Sequence, residues 1–119
     1  MTATTKYGNF NIESQNHKDW VIGHFMEEDS PFKNNNFEIK WGKRKKGYEV
    51  MAEVANRNDG KETLAILVYG KMILDFPTLN KIITLEKEGD YFYYKPTIPH
   101  TVKAEEDSLI ITVRWPSQN

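Results

Sequence analysis

The sequence predicts a small all-β domain, a sandwich or barrel, on three observations. Apolar and polar residues alternate with a period of two in several stretches. Turn-forming residues recur at intervals of roughly 8–12 positions. Helical periodicity is weak throughout.

Taken in order, the strands announce themselves one by one. Phe37, Ile39 and Trp41 alternate with Glu38 and Lys40, which places the apolar set on the expected core face. Tyr48 to Ala55 reads as a strand in preference to a short helix. Thr63 to Phe76 is rich in β-branched and large apolar residues and is split by Gly70, where a bend or bulge is expected. Lys81 to Glu88 alternates loosely and runs into a Gly89-Asp90 turn. Tyr91 to Lys95 is aromatic strand material broken by Pro96 and Pro99. Ser108 to Trp115 is a last strand, stopped by Pro116.

Composition bounds the rest. The chain of 119 residues fits one domain, 1–119, with an ordered barrel over about 10–116 and loose ends either side. Sixteen Lys and Arg against 17 Asp and Glu leave a net charge of -1, which gives no global attraction to nucleic acid or an anionic membrane. Cysteine is absent, which removes disulfides, thiolate metal sites and cysteine nucleophiles together and fits a reducing compartment. Met1 to Phe10 lacks the apolar run of a signal peptide, and no stretch nears the roughly 20 apolar residues of a membrane span. A cytoplasmic protein is expected.

The stretch from Gly89 through Asp90, Tyr91, Phe92, Tyr93, Tyr94, Lys95, Pro96, Thr97, Ile98 and Pro99 to His100 resembles the second motif of the cupin superfamily. That motif opens on a glycine, passes a Pro-x-Gly corner, delivers a histidine and closes on an asparagine. Gly89 and His100 fall in register; the corner falls on Lys95 to Thr97 and the asparagine on Ala104. The first motif, ended on Gly70, sets its glutamate on Thr63 and its two histidines on Asn56 and Asn58. Glu62 is one residue out, and so on the other face of a strand. Trp41-Gly42-Lys43-Arg44 is also similar to small single-domain cupins with a histidine where Arg44 stands. The resemblance covers roughly Lys40 to Trp115 and implies a double-stranded β-helix, the cupin jelly-roll barrel, closed or nearly so, and a homodimer.

The resemblance also implies a transition metal held by three histidines and a glutamate, and the residues resist it. Of the three histidines, His17, His24 and His100, only His100 stands at a ligand position. Asn and Thr bind such ions far more weakly than imidazole or carboxylate. No cofactor is therefore expected; the alternative is a divalent transition metal on His100, His24 and Glu53.

The expected ligand is a small polar or anionic molecule, met by His100, Tyr91, Tyr93, Arg44, Trp41, Arg114 and Thr63. His100 would supply an acid–base group in the barrel mouth, or else only pin the Pro-rich turn. Arg114 would clamp a carboxylate or phosphate, or else guard a sheet edge. Tyr91 with Tyr93, or Phe92 with Tyr94, must face inward, to fill the core or to meet a ligand. Lys40, Lys43, Arg44, Lys45 and Lys46 cluster beside Trp41, as an anion site or a solvated turn. Two readings follow: a binding module, or a small isomerase, lyase or epimerase working through His100. A metal-dependent dioxygenase is a third and weaker alternative.

Overall fold

The computed structural model describes residues 5–52, 61–95 and 98–118. A single turn of helix, α1 (Phe10–Glu13), leads through a 3-10 turn into β1 (Trp20–Ile22). Then follow β2 (Glu38–Arg44), β3 (Glu49–Ala52), β4 (Glu62–Tyr69), β5 (Met72–Phe76), β6 (Lys81–Leu85), β7 (Tyr91–Tyr94), β8 (His100–Ala104) and β9 (Ser108–Trp115). They form one five-stranded sheet in the order β1-β2-β9-β4-β7 and one four-stranded sheet in the order β3-β8-β5-β6.

The pairing has a simple logic. Setting β1 aside, the first strand pairs with the last, the second with the second to last, and so inward to the β5–β6 hairpin. The chain is thus one long antiparallel ribbon, wound so that β4 meets β9 and β5 meets β8. This is a jelly roll. The strands divide between two facing antiparallel sheets, the jelly-roll architecture that the sequence predicts.

Gly70 marks where the ribbon changes sheet. Its φ is +100°, and an added Cβ would sit 2.5 Å from the Asp107 carbonyl oxygen and from the Ser108 Cα. The bend read from the sequence is therefore the corner that sends β4 to one sheet and β5 to the other. The Gly89-Asp90 turn is held by the Asp90 carboxylate, which accepts from the amides of Glu86 and Lys87 at 3.0 and 2.9 Å. These bonds hold its pKa below the ordinary value. Of the expected Tyr48–Ala55 strand, Glu49–Ala52 is β3 and the remainder lies outside the described residues.

Ala65, Leu67, Met72, Leu74, Phe76, Leu85, Ala104 and Ile110 form the apolar core between the sheets. The alternation in β2 runs opposite to expectation. Glu38 is buried at 1% exposure, and Lys40, Gly42 and Arg44 share its face, while Ile39 and Trp41 turn outward. That outer face finds cover of its own. Phe10 of α1 packs on Trp41 and Phe32, and the Trp41 indole donates to Asn11 at 2.9 Å. The chain end is not wholly loose either. Ser117 is buried and donates to Glu38 at 3.0 Å. Among the described residues, no helix is long and apolar enough to cross a membrane.

Replacing Gly70 with Ala should destabilise the fold by about 3 kcal/mol, from the left-handed backbone and the collision with β9 together. Gly47, with φ +94° and open space around it, should lose only about 1 kcal/mol on the same change. Urea unfolding of the two variants checks this; equal losses would show that the corner is not tightly packed.

Candidate functional site

Cross-strand neighbours share a face, so the register shows which side chains enter the space between the sheets. One inner row across the large sheet is Glu38, Arg114, Thr63 and Tyr94. The next is Lys40, Thr112, Ala65 and Phe92. From the small sheet, β8 contributes His100 and Val102, β5 contributes Leu74, and β3 contributes Val50. Between these rows lies a cavity of about 200 Å³, lined by Lys40, Arg44, Thr63, Tyr94, His100 and Arg114 among its polar side chains. Val50, Met72, Leu74, Val102 and Ile110 supply its apolar wall, and Trp20 and Tyr48 flank it. The space admits several waters or a small organic molecule.

His100 is 1% exposed. Its ring stacks on Phe76 at 4.9 Å and meets Tyr94 edge-on at 4.5 Å. Nδ1 lies 2.9 Å from the Ile98 carbonyl oxygen. A carbonyl only accepts, so Nδ1 carries the proton and Nε2 keeps a lone pair. Burial lowers the pKa of this imidazole below 6.5, partly offset by the Ile98 bond. At neutral pH the ring is an uncharged acceptor.

The cations are carried on aromatic faces. Lys40 Nζ lies 5.3 Å and Arg114 Cζ 4.8 Å from the Trp20 ring centroid, and Arg44 Cζ lies 4.9 Å from that of Tyr48. Two carboxylates stand behind them. Asp19 accepts from Arg44 at 2.9 Å. Glu38 accepts from Arg114 through Nε at 2.8 Å and Nη2 at 2.6 Å, from Lys61 at 3.3 Å and from Ser117. Neither carboxylate lines the cavity; among the described lining residues no side chain is acidic. Lys18 and Asp19 both take left-handed backbone, φ 52° and 78°, just before Trp20. Three bonds hold Asp19 there: its amide on Ser14, its carbonyl oxygen accepting from Trp41, and its carboxylate on Arg44.

Of the residues expected at the site, His100, Arg44, Arg114 and Thr63 line the cavity. Tyr91, Tyr93 and Trp41 do not. Tyr91 and Tyr93 face solvent at 67% and 44% exposure, because Phe92 and Tyr94 take the inner face of β7. Tyr93 bonds Glu62 and stacks on Trp115 instead. Arg114 is no edge residue, since β9 runs between β2 and β4. The basic cluster divides: Lys40 and Arg44 turn in, while Lys43, Lys45 and Lys46 are exposed. Glu38 and Trp20 were not foreseen at the site, and Tyr94 was foreseen only as half of the alternative inward pair with Phe92. The signal for Glu38 was present, since it shares the parity of Lys40 and Arg44.

The ligand set expected of a metal centre does not gather among the described residues. His24 is held away from His100, with its amide and Nδ1 on the Ser117 hydroxyl at 2.9 and 2.7 Å. Thr63, which the sequence resemblance sets at the glutamate position, lies directly opposite Arg114. A neutral hydroxyl beside a guanidinium is a poor place for a divalent cation. Glu53, Asn56 and Asn58 lie outside the described residues.

No family model and no curated protein matches the chain. Solved structures do. An RmlC-like cupin protein from Desulfovibrio desulfuricans superposes at a TM-score of 0.57 and 18% identity, over 98% of this chain and 97% of that one. The chain has the cupin fold. KdgF from Halomonas sp. superposes on this chain at a TM-score of 0.59 and 18% identity, over 72% of this chain and 74% of that one. Ectoine synthase from P. lautus does so at 0.57 and 14%, over 68% of this chain and only 54% of that one. At these identities the likeness shows the fold alone.

A lowered imidazole pKa has a signed consequence. The unfolded chain takes up the proton first, so stability at neutral pH falls as pH drops below 6.5 toward the lowered value. The slope is at most about 1.4 kcal/mol per pH unit. His100→Phe should lose less stability than the wild type between pH 7.5 and pH 5.5 in urea titrations. Equal losses would place the imidazole in water.

Proposed function

We propose that this cupin is a binding module for a small organic anion, held between its two sheets without a metal. The observation that carries this reading is the charge of the lining. Three cations, Lys40, Arg44 and Arg114, face one cavity, and no acidic side chain lines it among the described residues. Each guanidinium carries five N–H donors, more than its bonds to Asp19 or Glu38 take up, so a carboxylate in the cavity has charged donors to meet while a metal ion would be repelled. Aromatic stacking and the supporting carboxylates orient the guanidiniums, so that less entropy is lost on binding.

Binding ranks above catalysis on one further observation. A general base is commonly oriented by a carboxylate, and the His100 Nδ1 partner is the Ile98 carbonyl instead. An isomerase, lyase or epimerase acting through His100 is the alternative. A homodimer belongs to the same proposal, on the commonness of two-fold assemblies alone.

Acetate, butyrate and benzoate, each against its primary amide, test the reading by calorimetry and thermal shift. The acids should bind and the uncharged amides should not. Arg44→Gln should weaken the acids about tenfold, the worth of one charge-assisted hydrogen bond. Amides binding as tightly as acids, or no binding of either, would overturn the proposal. Elemental analysis should find well under one transition-metal ion per chain; a stoichiometric ion would overturn the metal-free part.

A further inference from the structure

The two sheets differ on their outer faces. On the small sheet, Glu49, Asp75, Thr101 and Lys103 are interspersed on the outer side, as suits a face open to water. On the large sheet the outward residues form two apolar rows. Val113, Leu64 and Tyr93 are cross-strand neighbours in one, and Ile111, Ile66 and Tyr91 in the next. The rows lie side by side, so the apolar surface runs unbroken over β9, β4 and β7. Its aliphatic members are only half-buried, and both tyrosines are exposed. A contiguous outward patch that includes tyrosines has the character of a protein interface.

Two charges frame this face. Lys43 stands beside Leu109 at the start of β9, on its β2 side. Glu62 stands beside Trp115 at the end of β9, on its β4 side. Lys43 is exposed. Glu62 accepts from the Tyr93 hydroxyl and the Trp115 indole, both neutral donors, and so keeps its charge. The two therefore occupy diagonally opposite corners about the middle of β9. A two-fold axis lying in the plane of contact, at right angles to that diagonal, carries each corner onto the other. Two copies set face to face in this way bring Lys43 of each against Glu62 of the other, while apolar rows meet apolar rows. Self-complementarity of this kind is what a two-fold interface requires of one surface.

We infer that the outer face of the large sheet is where a second copy of the chain docks, with Lys43 of one copy paired with Glu62 of the other across a two-fold axis. This rests on the homodimer named under the proposed function and gives it a surface; it does not depend on anion binding.

Sedimentation over a dilution series of the full chain measures the dimer constant. The wild type should sediment as a dimer. Lys43→Glu and Glu62→Lys should each weaken it about tenfold by setting like charges opposite one another, and the double variant should recover it. Lys103→Glu, on the small sheet, should leave it unchanged. In the wild type, a zero-length carbodiimide should join Lys43 to Glu62 in the covalent dimer. Within one chain the two corners are separated by the length of β9 from Leu109 to Trp115, roughly 20 Å, too far for such a link. The link therefore reads the contact even if a variant misfolds. A monomer throughout the series would overturn this inference and the homodimer with it, leaving the anion-binding reading intact. A dimer that ignores both single variants, or that the double variant fails to restore, with no link between Lys43 and Glu62, would overturn the surface and keep the homodimer.

Discussion

The rest of the site depends on one buried carboxylate. Glu38 opens β2 with its side chain turned inward, where an isolated charge is costly. It persists there because partners from four places converge on it. Arg114 comes from the end of β9, Lys61 from the approach to β4, Ser117 from the chain end, and His24 lies 3.9 Å away beyond β1. The network ties the two ends of the wound ribbon together beside the cavity. It also fixes the heading of the guanidinium. With Nε and Nη2 bound to Glu38 and a face on Trp20, Arg114 has little freedom left. Removing Glu38 would strip Arg114 of its carboxylate at the cavity wall, a loss larger than that of a surface ion pair.

The jelly roll was legible because its signals are local. Gly70 and the Gly89-Asp90 turn are read from single residues, and period-two stretches identify strands wherever they stand. His100 inside the sandwich came instead from the resemblance to the second cupin motif, which implies an inward histidine at that position. Which face of a strand looks inward is a different matter, since alternation gives only parity. In β2 the apolar set of Ile39 and Trp41 pointed to the core, yet it turns outward, where Phe10 of α1 packs on Trp41. The interior receives Glu38, Lys40 and Arg44 instead. The β7 tyrosines show the same ambiguity with less consequence, since both faces are aromatic. Trp20 left little trace, because β1 is three residues long and joins the sheet by a bulge.

Fold and chemistry separate in this molecule. The winding matches solved cupins, while the sequence resemblance sets Asn56, Asn58 and Thr63 where the motifs call for histidines and a glutamate. The described cavity wall is cationic on β2 and β9. The solved cupins it superposes on carry names as different as KdgF and ectoine synthase, so the role must be argued from the lining.

Crystals of the protein soaked in a short carboxylate test the account most directly. It predicts density for the carboxylate between the two sheets, its oxygens about 3 Å from the guanidinium of Arg114 or Arg44. An anion bound only on the outer surface, or a cavity filled by the protein's own side chains with those arginines turned to water, would contradict it.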